Sequence, residues 1–332
     1  MRHAAVFIVA TLGTALGAAQ LQQPTPVFRA RVEQVVVPVT VKDAQGRLVE
    51  DLGAGDFRLL EDGVEQKITG FSADPAPLAV AVLIDAALSR PTAQRLRATF
   101  PSLIEAFSEF DEVGVFSFDT AFRTVAGFTT DRERVAAAVR TMEMGAEYSQ
   151  PGEPLGSGAP RINGWPVGGP AAGVSRRQPA KNIDDAVLAA VRLLAGRDPG
   201  RRRLILLISD GLNSPRNQTP SENLLATLRK SGVVVHTIGL DDAKLSRRES
   251  SLARYGPPTG GELFTAVKKT AIEPLYARIT EQARYYYILT YVPQRPPTVA
   301  PVFRSIEVRV KRPALNVIAR DGYIPEPRAP QP

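Results

Sequence analysis

The chain has 332 residues, 44% of them hydrophobic, with no cysteine and a formal charge of +7. That length suits one large domain or two moderate ones. The lack of cysteine excludes disulfides, zinc–thiolate sites, thiol catalysis and lipid attachment through an N-terminal cysteine. Basic residues are scattered apart from Arg201-Arg202-Arg203 and Arg247-Arg248, and no aromatics interleave with them, so nucleic acid is not an expected partner.

Residues 1–19 read as a cleaved signal peptide. Arg2 and His3 give a basic start, Ala4 to Leu16 a short apolar run, and Gly17-Ala18-Ala19 a small-residue cleavage site. The run is shorter than the roughly 20 residues a membrane span needs, and no later segment is long and apolar enough. The mature chain is therefore expected outside the cytoplasm, periplasmic or secreted. Residues 20–75 form an N-terminal β region. Val35, Val37, Val39 and Val41 recur with period two, and Asp43 to Gly46 is a turn signal. Phe57 to Glu61 and Val64 to Phe71 flank Asp62-Gly63, whose two residues suit the positive φ angles of a type I′ hairpin.

The region 76–284 alternates strands and helices. Leu78 to Ile84 is an unbroken apolar run ending at Asp85, the signature of a strand buried on both faces. A helix is expected from Pro91, with a kink or break at Pro101. Val113 to Phe118 and Phe122 to Phe128 read as paired strands. Thr130 to Glu133 has capping-box form, with Val135, Val139 and Met142 on one face of the helix after it. Residues 145–180 are a Gly/Pro-rich insertion, expected to be an irregular surface loop. Asn182 then suits an N-cap for a helix with Ile183, Val187, Val191 and Leu194 on its apolar face. Leu204 to Ile208 is a second buried strand, ending in Ser209-Asp210-Gly211. Thr219-Pro220-Ser221-Glu222 has capping-box form, Gly232 suits a helix stop, and Val233 to Gly239 is a third strand. A last helix is expected over residues 270–283. The repeated alternation implies a doubly wound, mostly parallel sheet with helices on both faces.

Residues 285–332 return to β patterning. Tyr285 to Val292 is aromatic and β-branched, Ile306, Val308 and Val310 alternate with polar residues, and Val317 to Tyr323 adds a further strand. Neither terminal group supplies the three or more covered strands that independent stability requires. The expected fold class is therefore α/β, with the parallel sheet inserted into a small β-sandwich-like domain built from both ends of the chain.

Several stretches in order resemble the exported bacterial von Willebrand factor type A-like proteins, in particular the type first described from acidobacteria. They are Val35 to Gly46, Asp56 to Gly63 with Gln66, Asp85 to Ser89, Ile208 to Gly211, Gly232 to Gly239, Tyr287 to Tyr291 and Arg320 to Tyr323. The resemblance implies a Rossmann-like type A domain and a metal-ion-dependent adhesion site, in which hard oxygen ligands hold Mg²⁺ and leave a position for a partner's carboxylate. On the family's pattern Asp85, Ser89 and Asp210 occupy ligand positions, whereas Ala87 and Lys181 replace two others. Two carboxylates and a hydroxyl can still hold Mg²⁺ weakly through water. Alternatively, Lys181 occupies the cation's place, and Asp85 and Asp210 cap loops and pair with it or with nearby arginines. The resemblance implies partner binding around Asp85, Ser89, Asp119, Asp210 and Lys181.

Catalytic signals are sparse. His236, the one histidine outside residues 1–19, lies in an apolar strand and reads as a core histidine; no nucleophile elbow or phosphate loop occurs. Pro257 to Gly261 reads as a turn before an edge strand rather than a ligand loop, and Tyr285 to Tyr287 as strand packing rather than a recognition surface. The function expected is a non-enzymatic, adhesion-type protein-interaction module with a degenerate metal site. Its rivals are an exported metal-dependent hydrolase and a structural envelope component that binds through its β domain.

Overall fold

The computed structural model describes residues 34–145, 161–162, 165–166, 181–240, 251–266, 272–295 and 302–325. The expected signal peptide lies outside these residues, as does most of the 145–180 insertion. Among the described residues, the central sheet has the order β12-β11-β10-β5-β6-β7. Its strands are β5 (Leu78–Asp85), β6 (Glu112–Phe118), β7 (Phe122–Thr129), β10 (Arg202–Ser209), β11 (Val234–Leu240) and β12 (Leu263–Ala266). All pair in parallel except β7, which returns antiparallel to β6. The fold is α/β with a mostly parallel sheet.

Every residue of β5 is buried. Its Leu78, Val80, Val82 and Ile84 face α1 (Arg90–Ala98), α2 (Phe100–Glu105), α3 (Arg132–Thr141) and α6 (Glu273–Arg284). Ala79, Ala81 and Leu83 face α4 (Ile183–Ala195) and α5 (Ser221–Ser231). Small residues on that side let α4, itself lined by Ala186 and Ala190, approach the sheet closely. The expected break at Pro101 falls at Thr99, between α1 and α2, since the proline ring sits best in a helix's first turn.

Two further sheets, of order β15-β1-β13-β4 and β16-β14-β2-β3, pack face to face over one apolar core. Their strands are β1 (Val35–Lys42), β2 (Phe57–Glu61), β3 (Val64–Gln66), β4 (Ile68–Ser72), β13 (Tyr287–Tyr291), β14 (Arg304–Val310), β15 (Asn316–Ala319) and β16 (Gly322–Tyr323). Strands from the two ends of the chain alternate: β1 pairs with β13 and β15, and β2 with β14. The Asp62-Gly63 hairpin has φ of 49° and 80°, as the turn type requires. A short ribbon of β8 (Arg161–Ile162) and β9 (Trp165–Pro166) lies within the insertion.

Several sequence expectations are corrected. The cap of α3 is Asp131, whose carboxylate accepts from Arg134 N–H, rather than Thr130. The N-cap of α5 is Pro220 rather than Thr219, and since proline carries no side-chain acceptor the helix has no side-chain cap, while Thr219 N–H donates to Asp185 (2.8 Å). Asn182 stands at the α4 N-cap position, but its amide donates to Thr120 O instead. Tyr285 ends α6 instead of opening a strand, and the stretch 317–323 splits into β15 and β16 in different sheets. The period-two pattern of β1 leaves a second face that is also covered near its end: Thr40 is buried, and Lys42 is buried as it reaches across to Glu262 and lies over the Phe264 ring.

Candidate functional site

From β5 at the middle of the sheet, the chain first runs outward through β6 and β7, then returns to β10 on the other side of β5. The point between β5 and β10 is the topological switch point, where open α/β sheets gather ligands beyond the carboxyl ends of their strands. Asp85 ends β5, and Asp210 follows β10 directly. The parallel register that pairs Ile84 with Ile208 brings Asp85 level with Ser209, with Asp210 one residue beyond.

Lys181, the residue two before α4, enters between them. Its Nζ is 3.1 Å from Asp85 Oδ2 and 2.5 Å from Asp210 Oδ2. Lys181 and Asp85 are both 0% exposed, whereas the Asp210 side chain is 17% exposed. Asp85 also accepts from Ala87 N–H (2.9 Å) and from the Ser209 hydroxyl (2.7 Å). Burial pushes the Asp85 carboxyl above the usual carboxylate range, against the pull of the Lys181 ammonium. The second Asp210 oxygen accepts from Leu212 N–H (3.0 Å). Ser209 was not singled out from the sequence. The signal was its place at the end of β10, which the register of the parallel pair brings level with Asp85.

The other expected site residues have separate partners. Ser89 is the α1 N-cap: its Oγ accepts from Thr92 N–H and lies 2.9 Å from Thr92 Oγ1. Ala87 is buried and offers no side-chain oxygen. Asp119 pairs with Arg123 (3.0 Å) and accepts from Ala121 N–H (2.8 Å), and its backbone carbonyl accepts from Asn182 N–H (2.8 Å). Its carboxyl lies below the ordinary range; partial burial opposes the fall, and these bonds outweigh it. Both ends of the insertion adjoin this edge, since Gly145 N–H donates to Ala86 O and Lys181 O accepts from Ser214 N–H.

These residues do not fit a divalent cation. The oxygens of Asp85 and Asp210 that would face a metal converge on an ammonium, which has no lone pair to ligate and carries the positive charge the carboxylates require. Ser89 Oγ is held by the α1 N-terminus. Among the described residues, no group of three or more His, Asp or Glu side chains is placed to hold a metal ion.

A second polar cluster locks the adjoining helices. Asp184, 2% exposed, accepts from Tyr255 Oη (2.6 Å), Asn213 Nδ2 (3.0 Å), Ser221 Oγ (3.2 Å) and the Arg254 guanidinium. His236 is 1% exposed; its Nδ1 accepts from Glu262 N–H (3.1 Å), and burial pushes the imidazole down to about 4. It lies in mid-strand, level with Leu206 of β10 and packed against Phe264.

No protein-family model matches this chain, and no curated protein matches it. Solved structures similar to it include a von Willebrand factor type A protein from Catenulispora acidiphila, with 10% identity, 89% of this chain and 75% of that chain covered, and a TM-score of 0.44. BatB from Bacteroides thetaiotaomicron is similar at 12% identity, with 62% and 98% covered and a TM-score of 0.41. Proximal thread matrix protein 1 from the mussel byssus, solved with a zinc-occupied MIDAS motif, is similar at 18% identity, with 67% and 49% covered and a TM-score of 0.41. This chain thus spans about half the length of the mussel structure. The fold rests on the chain's own strand order and pairings, and nothing about its ligands follows from the likeness. Among the described residues, no helix is long and apolar enough to cross a membrane.

Proposed function

We propose that this chain is an exported, non-enzymatic protein-interaction module of the von Willebrand factor type A-like kind, which binds a protein partner at the carboxyl edge of its parallel sheet without a metal. The supporting observation is the Lys181 ammonium seated between Asp85 and Asp210 at the switch point. The acids at the place where such sheets carry chemistry are committed to ion pairs: Asp85 and Asp210 to Lys181, and Asp119 to Arg123. What the edge offers outward is recognition: Ser89, Asp119 and the exposed part of Asp210 lie at the edge around a centre where one ammonium joins two carboxylates. The site is on this reading a degenerate adhesion site. Residues 1–19 are its signal peptide, and 20–75 and 285–332 jointly form the β domain that carries the 76–284 domain.

The direct test is capture of partners from the native envelope with immobilised chain, with and without a chelator. Capture should be indifferent to chelator and fall at least tenfold in an Asp119→Arg/Ser89→Arg double variant. Loss of capture on chelation overturns the metal-free reading. Capture that survives both edge substitutions but fails when the outer faces of the β sheets are altered moves the binding surface to the β domain. Turnover of an ester, peptide or phosphate substrate that disappears in Asp210→Asn instead makes the protein a hydrolase.

A further inference from the structure

We infer that Lys181 is a built-in cation: its side chain fills a cation-binding cavity between Asp85 and Asp210, and shortening that side chain turns the cavity into a receptor for a soluble cation. The inference deepens the proposed function by naming what Lys181 stands in for at the same site, a small divalent metal ion or a free primary ammonium. It rests on that reading only for the site's place in the fold.

The geometry carries it. The carboxylates come from two adjacent parallel strands and aim one oxygen each, both Oδ2, at a single point. Their other oxygens are held by backbone N–H groups, of Ala87 at 2.9 Å and of Leu212 at 3.0 Å. Both carboxylates are therefore fixed by the loops that carry them and do not depend on the lysine for their aim. Ser209 Oγ, donating to Asp85 and accepting from Gly211 N–H (3.1 Å), braces the pair further. The lysine reaches this point from a third segment, and its Nζ is enclosed. Removing the ammonium leaves two preorganised acids around a space the size of the lost head group, in a setting where isolated charge is costly. A hard divalent cation that keeps several waters suits two carboxylate oxygens, and a primary amine reproduces the native contact.

The test is thermal melting of the full chain with the metal or amine alone. Wild type should show no shift in 10 mM MgCl2 or MnCl2, or in 50 mM ethylammonium chloride. Lys181→Ala should melt on the order of 10 °C lower. At least half of that loss should return with Mn²⁺ or with ethylammonium, and none of it in Lys181→Ala/Asp210→Asn. Lys181→Met fills the cavity with an uncharged stem, so it should melt low and respond to neither. An equal Mn²⁺ shift in wild type and Lys181→Ala, or no recovery in Lys181→Ala with either cation, overturns the inference.

If Lys181→Ala does not fold, the absence of cysteine supplies a second route. Lys181→Cys can be alkylated in denaturant at that single thiol with 2-bromoethylamine, which restores an ammonium on a side chain of near-native length, and then refolded. Folding of the aminoethylated chain, but not of the same variant alkylated with iodoethane, supports the inference; equal folding of the two overturns it. None of these readouts needs a partner, so failure here and failure of partner capture are separately visible.

Discussion

Taking Lys181 and Asp85 out of water together costs several kcal/mol per ion before their attraction returns any of it. Such a cluster contributes little to net stability, but breaking it strands a charge, at about 3–5 kcal/mol. By that asymmetry an uncharged replacement of Lys181, which joins three segments at the switch point, strands the carboxylates it pairs with. His236 follows the same logic with the opposite outcome, since it is buried without its charge. Burial lowers its imidazole to about 4; Glu262 opposes the fall, and the Lys42 ammonium adds to it. Its Nδ1 accepts the Glu262 N–H, so a proton there would face that donor. Between pH 6.5 and about 4 the unfolded chain binds a proton that the folded chain refuses, and stability falls as pH falls through that window. At pH 4.5 the penalty is roughly 2–3 kcal/mol, from about 1.4 kcal/mol per pKa unit. Urea unfolding at pH 7 and pH 4.5 checks this. His236→Gln, which keeps an acceptor for Glu262 N–H, should lose less stability over the window than wild type by about that amount. Equal pH dependence in the two proteins would sink the assignment.

The elements around the site are held by side chains that belong to other elements. The first N–H groups of α4 are orphan donors by the geometry of any helix. Ile183 N–H finds Asn213 Oδ1 (3.1 Å) and Asp185 N–H finds Asn217 Oδ1 (3.2 Å), both from the loop after β10. In return Asp185 accepts from Gln218 and Thr219 N–H in the lead-in to α5 (2.9 and 2.8 Å). Asn213→Ala removes the α4 cap and one donor to the buried Asp184, so it should cost about 1–2 kcal/mol in urea unfolding. A change below about 0.3 kcal/mol would show that Asn213 caps nothing. This reciprocal capping also explains what was legible in the sequence. The run from Leu78 to Asp85 could be read to its exact ends because burial on both faces leaves an unbroken apolar string. Asp85 and Asp210 could be read because each closes such a string. The α3 cap was read one residue early, at Thr130 instead of Asp131, while Asn182 was placed correctly but does not cap, because the distant Asn213 and Asn217 take the α4 donors, a fact no local four-residue pattern reveals. Tyr285 was misassigned for a related reason: β-propensity extends to the whole aromatic run, but the α6 carbonyl of Glu281 claims the Tyr285 N–H.

At the scale of the molecule, the β motifs are spent on joining the two ends of the chain and seating the central sheet. Glu61, 4% exposed, accepts from Tyr291 Oη (2.6 Å), Tyr323 Oη (3.0 Å) and Arg304 Nη1 (3.0 Å), which ties β2, β13, β16 and β14 at one buried point. From there the corner Arg320-Asp321 reaches the α/β layers. Asp321 pairs with Arg229 at the end of α5 (2.7 Å), and its N–H donates to Pro257 O (2.7 Å). Arg320, 9% exposed, donates to Gly322 O (3.0 Å), Val36 O (3.3 Å) and Arg229 O. The loop Pro257 to Gly261 is thus the seat of this corner: a Cβ at Gly260 would meet Arg320 N at 3.2 Å. Because one guanidinium touches both β1 and α5, the β sandwich and the central sheet should unfold together. Differential scanning calorimetry of the wild type should give one transition, with calorimetric and van't Hoff enthalpies equal. Arg320→Met keeps the buried stem but leaves carbonyls of three segments without their donor, at a cost of about 2–4 kcal/mol. It should also widen the transition or split it, with the calorimetric enthalpy exceeding the van't Hoff value. Arg312→Met, which breaks only the exposed pair with Asp51, should leave the melting curve unchanged. If Arg320→Met melts like Arg312→Met, the two layers are coupled through their apolar contact alone and the corner is a surface ornament. A wild type that already melts in two steps would show that the layers are independent, and the carboxyl edge of the parallel sheet could then be studied free of its β scaffold.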